Sequence, residues 1–353
     1  MPELLRPRAL APGDLVAVAA PSGPLEADAL PLLERGADVL TAMGFRVRRA
    51  PLTGPGRRRW WAAAGPEEQA REFNRLLRDP EVRAIVAHTG GQATAGWLDL
   101  LDLDAVRADP KPVLGCSDVS LLLLALHSRT GLAGLHGDMA TYGLGGSWHT
   151  APRTVAGHDT ATTLADLYRR VLTDPVKRPG PLPELRGAVP DGPGGRECWR
   201  PGRAAGPLVG GLLGRLVTLQ ATPFALPAER FDGAVLFWEE VERPLSAVWQ
   251  DLHVLRMSGV LDRIAGMVVG VPHRVTAAGC AGDAPEPSLR QVVLDVLGDR
   301  PLPVLGGTEV GHAGPNLPLP LGIRATVDSG ARTLSLDEPA VGPSVPRTGA
   351  QGD

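Results

Sequence analysis

Lys111-Pro-Val-Leu-Gly-Cys-Ser-Asp118, running into Val119-Ser-Leu-Leu-Leu-Leu-Ala-Leu126, is the stretch on which the reading of this fold turns. Pro112 to Gly115 is short, apolar and ends in glycine, as a buried strand does, whereas Val119 to Leu126 is the start of a buried helix. Ser117 therefore falls at a strand-to-helix elbow. There its hydroxyl would stand clear of the sheet, and the backbone N–H groups of the helix start would face developing negative charge. The competing reading is a helix cap supplied by Ser117 or Asp118. Taken alone the segment favours the cap, because one serine is weak evidence for chemistry.

Working outward, Leu15 to Ala20 is a first strand ended by Pro21-Ser-Gly-Pro24, followed by a helical stretch from about Ala27 to Met43. Phe45 to Arg49 is a second strand, Pro66 to Leu77 a helix, and Val82 to Ala87 a third strand running into His88-Thr-Gly-Gly91. Alternating strands and helices predict an α/β fold, with a mostly parallel sheet covered on both faces. The loops at Gly90-Gly91 and at Ser117 both leave the carboxyl ends of strands, the edge where open α/β sheets place their sites.

From Thr173 to Gly206 the chain is dense in Pro, Gly and Arg and reads as an interdomain linker. The division expected is residues 1–172 as the nucleophile domain, 173–206 as linker, 207–337 as a second domain, and 338–353 as a disordered tail. The second domain has strand candidates at Gly233 to Trp238, Ile264 to Val271 and Ala325 to Leu336, with a helix over Leu245 to Gly259.

A chain of 353 residues with 43% hydrophobic and 21% charged residues is long enough for two globular domains. A net charge of -3 gives no electrostatic case for nucleic acid or an anionic membrane as a partner. No apolar run approaches a membrane span, and the first ten residues lack a secretory pattern, so a cytoplasmic location is expected. Lys111 and Lys177 are the only lysines; the arginine clusters, such as Arg57-Arg58-Arg59, read as solvated loop. Cys116, Cys198 and Cys280 are widely spaced and form no C-x-x-C pattern, so three free thiols are expected rather than disulfides or a zinc site.

A nucleophilic serine needs a base, and the base needs a partner that fixes its tautomer. Of eight histidines, His312 lies in Gly306-Gly-Thr-Glu-Val-Gly-His-Ala-Gly-Pro-Asn316, too glycine-rich for a helix and too polar for core. His127 and His253 fall on helices and read as packed or surface residues, while His88, just before Gly90-Gly91, stays open as a second base. Glu239 ends the apolar strand Ala234-Val-Leu-Phe-Trp-Glu-Glu240, which makes it either a site acid or a solvated strand end. The order Ser117, Glu239, His312 is that of one triad class.

With these motifs in this order, the chain resembles the LD-carboxypeptidase family of serine peptidases, which includes the microcin C self-immunity peptidases. The resemblance runs from about Pro12 to Gly322. It rests on Ala11 to Gly23, on Trp61 to Gly91, on Gly115-Cys-Ser-Asp118, on Gly206-Pro-Leu-Val-Gly-Gly211, on Leu236-Phe-Trp-Glu239 and on Gly311-His312. It implies a Rossmann-like nucleophile domain followed by a smaller β-rich swivelling domain, in a homodimer, with no metal or cofactor. It further implies Ser117 as nucleophile, His312 as base, Glu239 as its orienting acid, and backbone N–H groups near Gly90, Gly91 and Asp118 as the oxyanion site.

This sequence departs from the family at several points. Thr89 and Gln92 flank the double glycine where muropeptide-trimming members carry arginine and an aromatic residue, Leu212 replaces a common asparagine, and Cys116 replaces a common tyrosine. Cys116 is expected to point into the fold, with a reactive thiol as the lesser reading. The leading expectation is hydrolysis of an amide bond in a small peptide-like substrate. Hydrolysis of an aminoacyl or peptidyl nucleotide, with Trp199 or Trp238 stacking the base, is a second expectation. Acyl transfer from the same acyl-enzyme and a non-catalytic binding protein remain as alternatives.

Overall fold

The computed structural model describes residues 2–151, 154–155, 158–185, 194–277 and 286–343. Cys280 and the last ten residues lie outside them.

Five strands of the first half enter the first sheet: the apolar β1 (Leu15–Ala19), β3 (Val82–Ala87) and β4 (Val113–Gly115), the arginine-rich edge strand β2 (Arg46–Arg49) and the short β5 (Leu135–His136). A small antiparallel ribbon follows, β6 (Thr154–Val155) and β7 (His158–Asp159). The second half contributes β8 (Gly180–Pro181), β9 (Glu197–Arg200), β10 (Arg203–Leu212), β11 (Val235–Glu239), β12 (Gly266–Gly270), β13 (Val304–Thr308), β14 (Leu319–Pro320), β15 (Arg324–Asp328) and β16 (Thr333–Leu336).

The first sheet is ordered β14-β5-β4-β3-β1-β2, all parallel except for the antiparallel edge strand β14. Its strand order reverses between β1 and β3, so the loops leaving these strands part around a crevice at the carboxyl edge. β4, which carries Ser117 at its end, is the next strand. The second sheet is ordered β8-β16-β15-β10-β11-β12-β13-β9, with a parallel centre from β10 to β13 and antiparallel strands on either flank. The molecule is thus a two-domain α/β protein built on parallel sheets.

The helix Val119–Thr130 is buried at every residue but Arg129, as its apolar run Leu121 to Leu126 requires. It packs against both β10 and the helix Leu213–Gln220 of the second half. At the far end of the first sheet, the fully buried Lys111 donates from Nζ to the carbonyls of Leu76, Leu77 and Asp79 at 2.6–3.2 Å. It thereby satisfies orphan carbonyls at the end of the helix Pro66–Arg78.

Three boundaries differ from the sequence expectation. The stretch read as a linker supplies the two edge strands β8 and β9, where a ladder tolerates polar and proline-containing runs, and the first part of the interior strand β10. The single strand expected over Ala325 to Leu336 is a hairpin of β15 and β16, turned at Asp328 to Arg332, where Arg332 has a φ of 57°. The expected tail is anchored over its first six residues: Glu338 pairs with Arg6, Ala340 and Val341 are buried, and Gly342 bridges to Arg8.

Candidate active site

Ser117 has a φ of 60°, a left-handed conformation that a non-glycine residue adopts only when its surroundings enforce it. Neither reading of the elbow as a cap holds, since no side chain of Ser117 or Asp118 bonds the first turn of the helix. The Asp118 carboxylate is instead buried and accepts four hydrogen bonds. Its Oδ2 takes Ser22 Oγ at 2.6 Å and the backbone N–H groups of Ala93 and Thr94 at 2.9 Å each, and its Oδ1 takes Arg215 Nε at 2.7 Å. One acid therefore ties the serine elbow to the loops after β1 and β3 and to the second domain.

The double glycine is explained by close approach. A Cβ on Gly90 would lie 2.6 Å from Ser117 Cβ and 2.7 Å from its Oγ. A Cβ on Gly91, whose φ is 145°, would meet Gly23 N and Ser22 Oγ at 2.7 Å. Among the described residues no acceptor takes the N–H of Gly91 or of Asp118, which leaves two free donors beside the serine.

From the second domain, Glu239 ends β11 with no exposed surface, and its Oε2 lies 2.9 Å from Nδ1 of His312, on the loop after β13. Gly311, at a φ of 117°, admits the acid: a Cβ there would sit 2.7 Å from Glu239 Oε2. Burial would raise the Glu239 pKa, but the adjoining His312, helped by His136 and His273, holds it below the ordinary carboxylate value. Burial would likewise lower the His312 pKa, yet the carboxylate outweighs it and the imidazole is raised above its usual 6.5. Ser117 and His312 both line a cavity of about 1050 Å³, along with Gly91, Gln92, Tyr142, Leu212 and Arg215.

Several other expectations are corrected. His88 is buried under the loop after β1, its Nε2 3.0 Å from the Gly23 carbonyl, and burial pulls its pKa to about 4, so it is a neutral packing residue rather than a second base. Trp199 donates to Glu197 and packs on Gly306, and Trp238 is 1% exposed in the core; neither lines the cavity, so neither is placed to stack a base. Cys116 points into the fold as expected: its thiol is buried, and burial pushes its pKa well above the ordinary value, against the lesser reading of a reactive thiol. His127 is packed as expected, with Nδ1 3.0 Å from the Leu132 carbonyl.

Models of the N-terminal and C-terminal domains of LD-carboxypeptidases match residues 16–137 and 205–327. The chain belongs to the LD-carboxypeptidase family. A Streptomyces coelicolor protein carrying the name carboxypeptidase is 33% identical over 97% of this chain and 99% of its own. The microcin C7 self-immunity protein MccF of Escherichia coli is 26% identical over 93% of this chain and 94% of its own. The fold agrees with solved structures of both branches. A structure of MccF with glutamyl sulfamoyl guanosine superposes with a TM-score of 0.79 at 24% identity, over 96% of this chain and 99% of that one. The muramoyltetrapeptide carboxypeptidase of Oxalobacter formigenes gives 0.69 at 22% identity, over 92% and 99%.

Sequence reasoning missed the residues that brace this candidate site. Asp138, buried after β5, accepts from Trp148 Nε1 at 2.6 Å and from both nitrogens of Asn316 at 2.8 Å. Asn316 Oδ1 in turn accepts the Gly311 N–H, so the histidine loop is pinned to the first domain. Burial raises the Asp138 pKa to about 6 against the pull of these donors. His136, at the end of β5, is also buried; its Nε2 is 4.0 Å from Glu239 Oε1, and its ring meets Phe237 edge-on. A histidine and an acid at a strand's carboxyl end were the available signal, hidden because β5 is only two residues long.

Proposed function

We propose that this chain is a serine hydrolase that cleaves an amide bond of a small peptide-like substrate through an acyl-enzyme. The observation that carries the reading is the pairing of His312 Nδ1 with the buried Glu239 on the wall of the cavity that also holds the strained Ser117. With Nδ1–H given to the carboxylate, Nε2 is left as the free base. It takes the Ser117 proton as Oγ bonds the carbonyl carbon, and the Gly91 and Asp118 N–H groups receive the oxyanion, each donor contributing roughly 3–4 kcal/mol. His312 then protonates the amine as the C–N bond breaks. Water, deprotonated by the same histidine, releases the acyl group as a free acid and restores the serine.

Gln92 and Leu212, two of the departures from the family pattern, both line the cavity. This favours a substrate other than a standard muropeptide. A second reading, hydrolysis of an aminoacyl or peptidyl nucleotide, is supported by the volume of the cavity and by Tyr142 on its wall. That ring is 49% exposed, and it would stack a base where the two tryptophans do not reach. Intact-mass spectrometry after incubation with a phosphonofluoridate probe tests the mechanism: one adduct on wild type and none on Ser117→Ala is expected. Equal labelling of the two proteins, or full turnover by the alanine variant, refutes it. Panels of muropeptides and aminoacyl-sulfamoyl adenosines then separate the two substrate readings.

A further inference from the structure

Three arginines line the cavity, and they are not equivalent. Arg243 spends Nη1 on both Glu240 and Asp251, and Arg274 pairs through Nη1 with Glu242, so the three acids on the wall are matched to these two cations. Arg215 is held through Nε alone, by Asp118, and among the described residues neither of its Nη groups has a partner. The Asp118 carboxylate already receives three other donors, so it neutralises the guanidinium only in part. Asp118 directly follows Ser117, which puts the guanidinium within about 10 Å of the nucleophile's Cα.

The position of Arg215 on its own helix argues the same way. It lies in the first turn of Leu213–Gln220, where the positive end of the helix dipole disfavours a cation. The side chain is therefore a cost to the helix, and it adds to rather than cancels the positive field at that end. A guanidinium anchored through Nε presents its two Nη groups as a fork, the geometry that grips a carboxylate or a phosphoryl group.

We propose that Arg215 is an anion-recognition residue, binding a carboxylate or phosphate-like group of the substrate beside Ser117; this rests on the serine-hydrolase reading above. Asp118 acts on it as a positioning residue, linking anion capture to the elbow that carries the nucleophile. Specificity for an anionic substrate would thus be set by a side chain from the second domain, available only when the two domains are docked.

The test compares two phosphonate probes of the same skeleton, one with a free carboxylate and the other with its methyl amide, on wild type, Arg215→Lys and Arg215→Met. The readout is the ratio of labelling rates at Ser117, so a general loss of reactivity cancels. Wild type is expected to favour the carboxylate by about 10–100-fold, Arg215→Met to show a ratio near one, and Arg215→Lys to fall between. A ratio unchanged in Arg215→Met overturns the proposal. If no protein is labelled by either probe, the serine-hydrolase reading fails, and the anion site is then judged by thermal shift with N-acetylglycine against N-acetylglycinamide. Stabilisation by the acid alone, lost in Arg215→Met, supports the site; equal shifts, or none in wild type, overturn it.

Discussion

Gly90→Ala isolates the geometry of the nucleophile. Gly90 does not have a positive φ, so alanine adds no backbone strain there, and the only new feature is a methyl group 2.6–2.7 Å from Ser117 Cβ and Oγ. Ordinary contact begins near 3.4 Å, so the serine side chain or the glycine loop must move by about 0.7 Å. Overpacking of this kind costs about 1–3 kcal/mol of stability. Its larger effect is on chemistry, because a displacement approaching 1 Å at a reacting atom lowers the rate on the order of 100-fold. The assay is the pseudo-first-order rate of phosphonofluoridate labelling, followed by intact mass, with the melting temperature measured alongside. Gly96→Ala serves as control: its nearest neighbour, Pro66 Cγ, is 3.8 Å away, and its rate should match wild type. Wild-type labelling by a folded Gly90→Ala protein would refute the placement of Ser117 Oγ as the reacting atom.

Two further predictions concern the base and its brace. Glu239→Gln should lower kcat by on the order of 10³–10⁴-fold, as loss of the orienting acid does in serine triads. Because the carboxylate raises the His312 pKa, wild-type kcat/KM should rise with pH through a midpoint above 6.5, and in Glu239→Gln that midpoint should move to lower pH. The same linkage makes the raised histidine stabilise the fold fully below pH 6.5, an effect lost as pH climbs through its folded value. The lowered Glu239 stabilises above 4.5, an effect lost on acidification, so the gap in denaturation midpoint between wild type and variant should be widest between these two values and narrow on either side. Asn316→Ala strips a donor from Asp138 and an acceptor from the Gly311 N–H, costing about 1–3 kcal/mol and loosening the His312 loop. Its melting temperature and kcat should both fall, with KM changed less; an unaltered kcat would show that the clamp does not set the base.

What the sequence made legible follows from how local each signal is. The elbow at Ser117 could be read because a strand, a helix and the residue between them lie within sixteen positions, and the glycine loop at His312 because its composition excludes both core and helix. The parallel first sheet followed from alternating periodicity. Asp138 and Asn316 could not be paired, since they are far apart in the chain and only the return of β14 to the edge of β5 brings them together. Arg215 looked like one arginine among many, because nothing local marks a side chain whose partner is in the other domain. The tryptophans misled for a related reason: an aromatic residue beside a motif is usually core, and Trp238, next to Glu239, sits on a strand buried along its whole length.

Several of the contacts that assemble the site join the two domains. Asp118 binds Arg215, Ser120 Oγ accepts the Leu212 N–H at 3.1 Å, Asp138 holds Asn316, and β14 closes on β5. Gly211 makes this approach possible, since a Cβ there would lie 2.8 Å from Ser120 Oγ; a Cβ on Gly210 would instead strike the Phe237 carbonyl of the neighbouring strand β11, within the second domain, at 1.7 Å. Bulk at Gly211 would push the second domain off the helix that follows Ser117 and carry Glu239 and His312 away with it, whereas bulk at Gly210 would part β10 from β11. The double glycine after the Pro/Gly/Arg-rich stretch is therefore part of the active-site architecture as much as the double glycine after β3. One lets the loop after β3 approach Ser117, and the other lets the domain bearing Glu239 and His312 reach it.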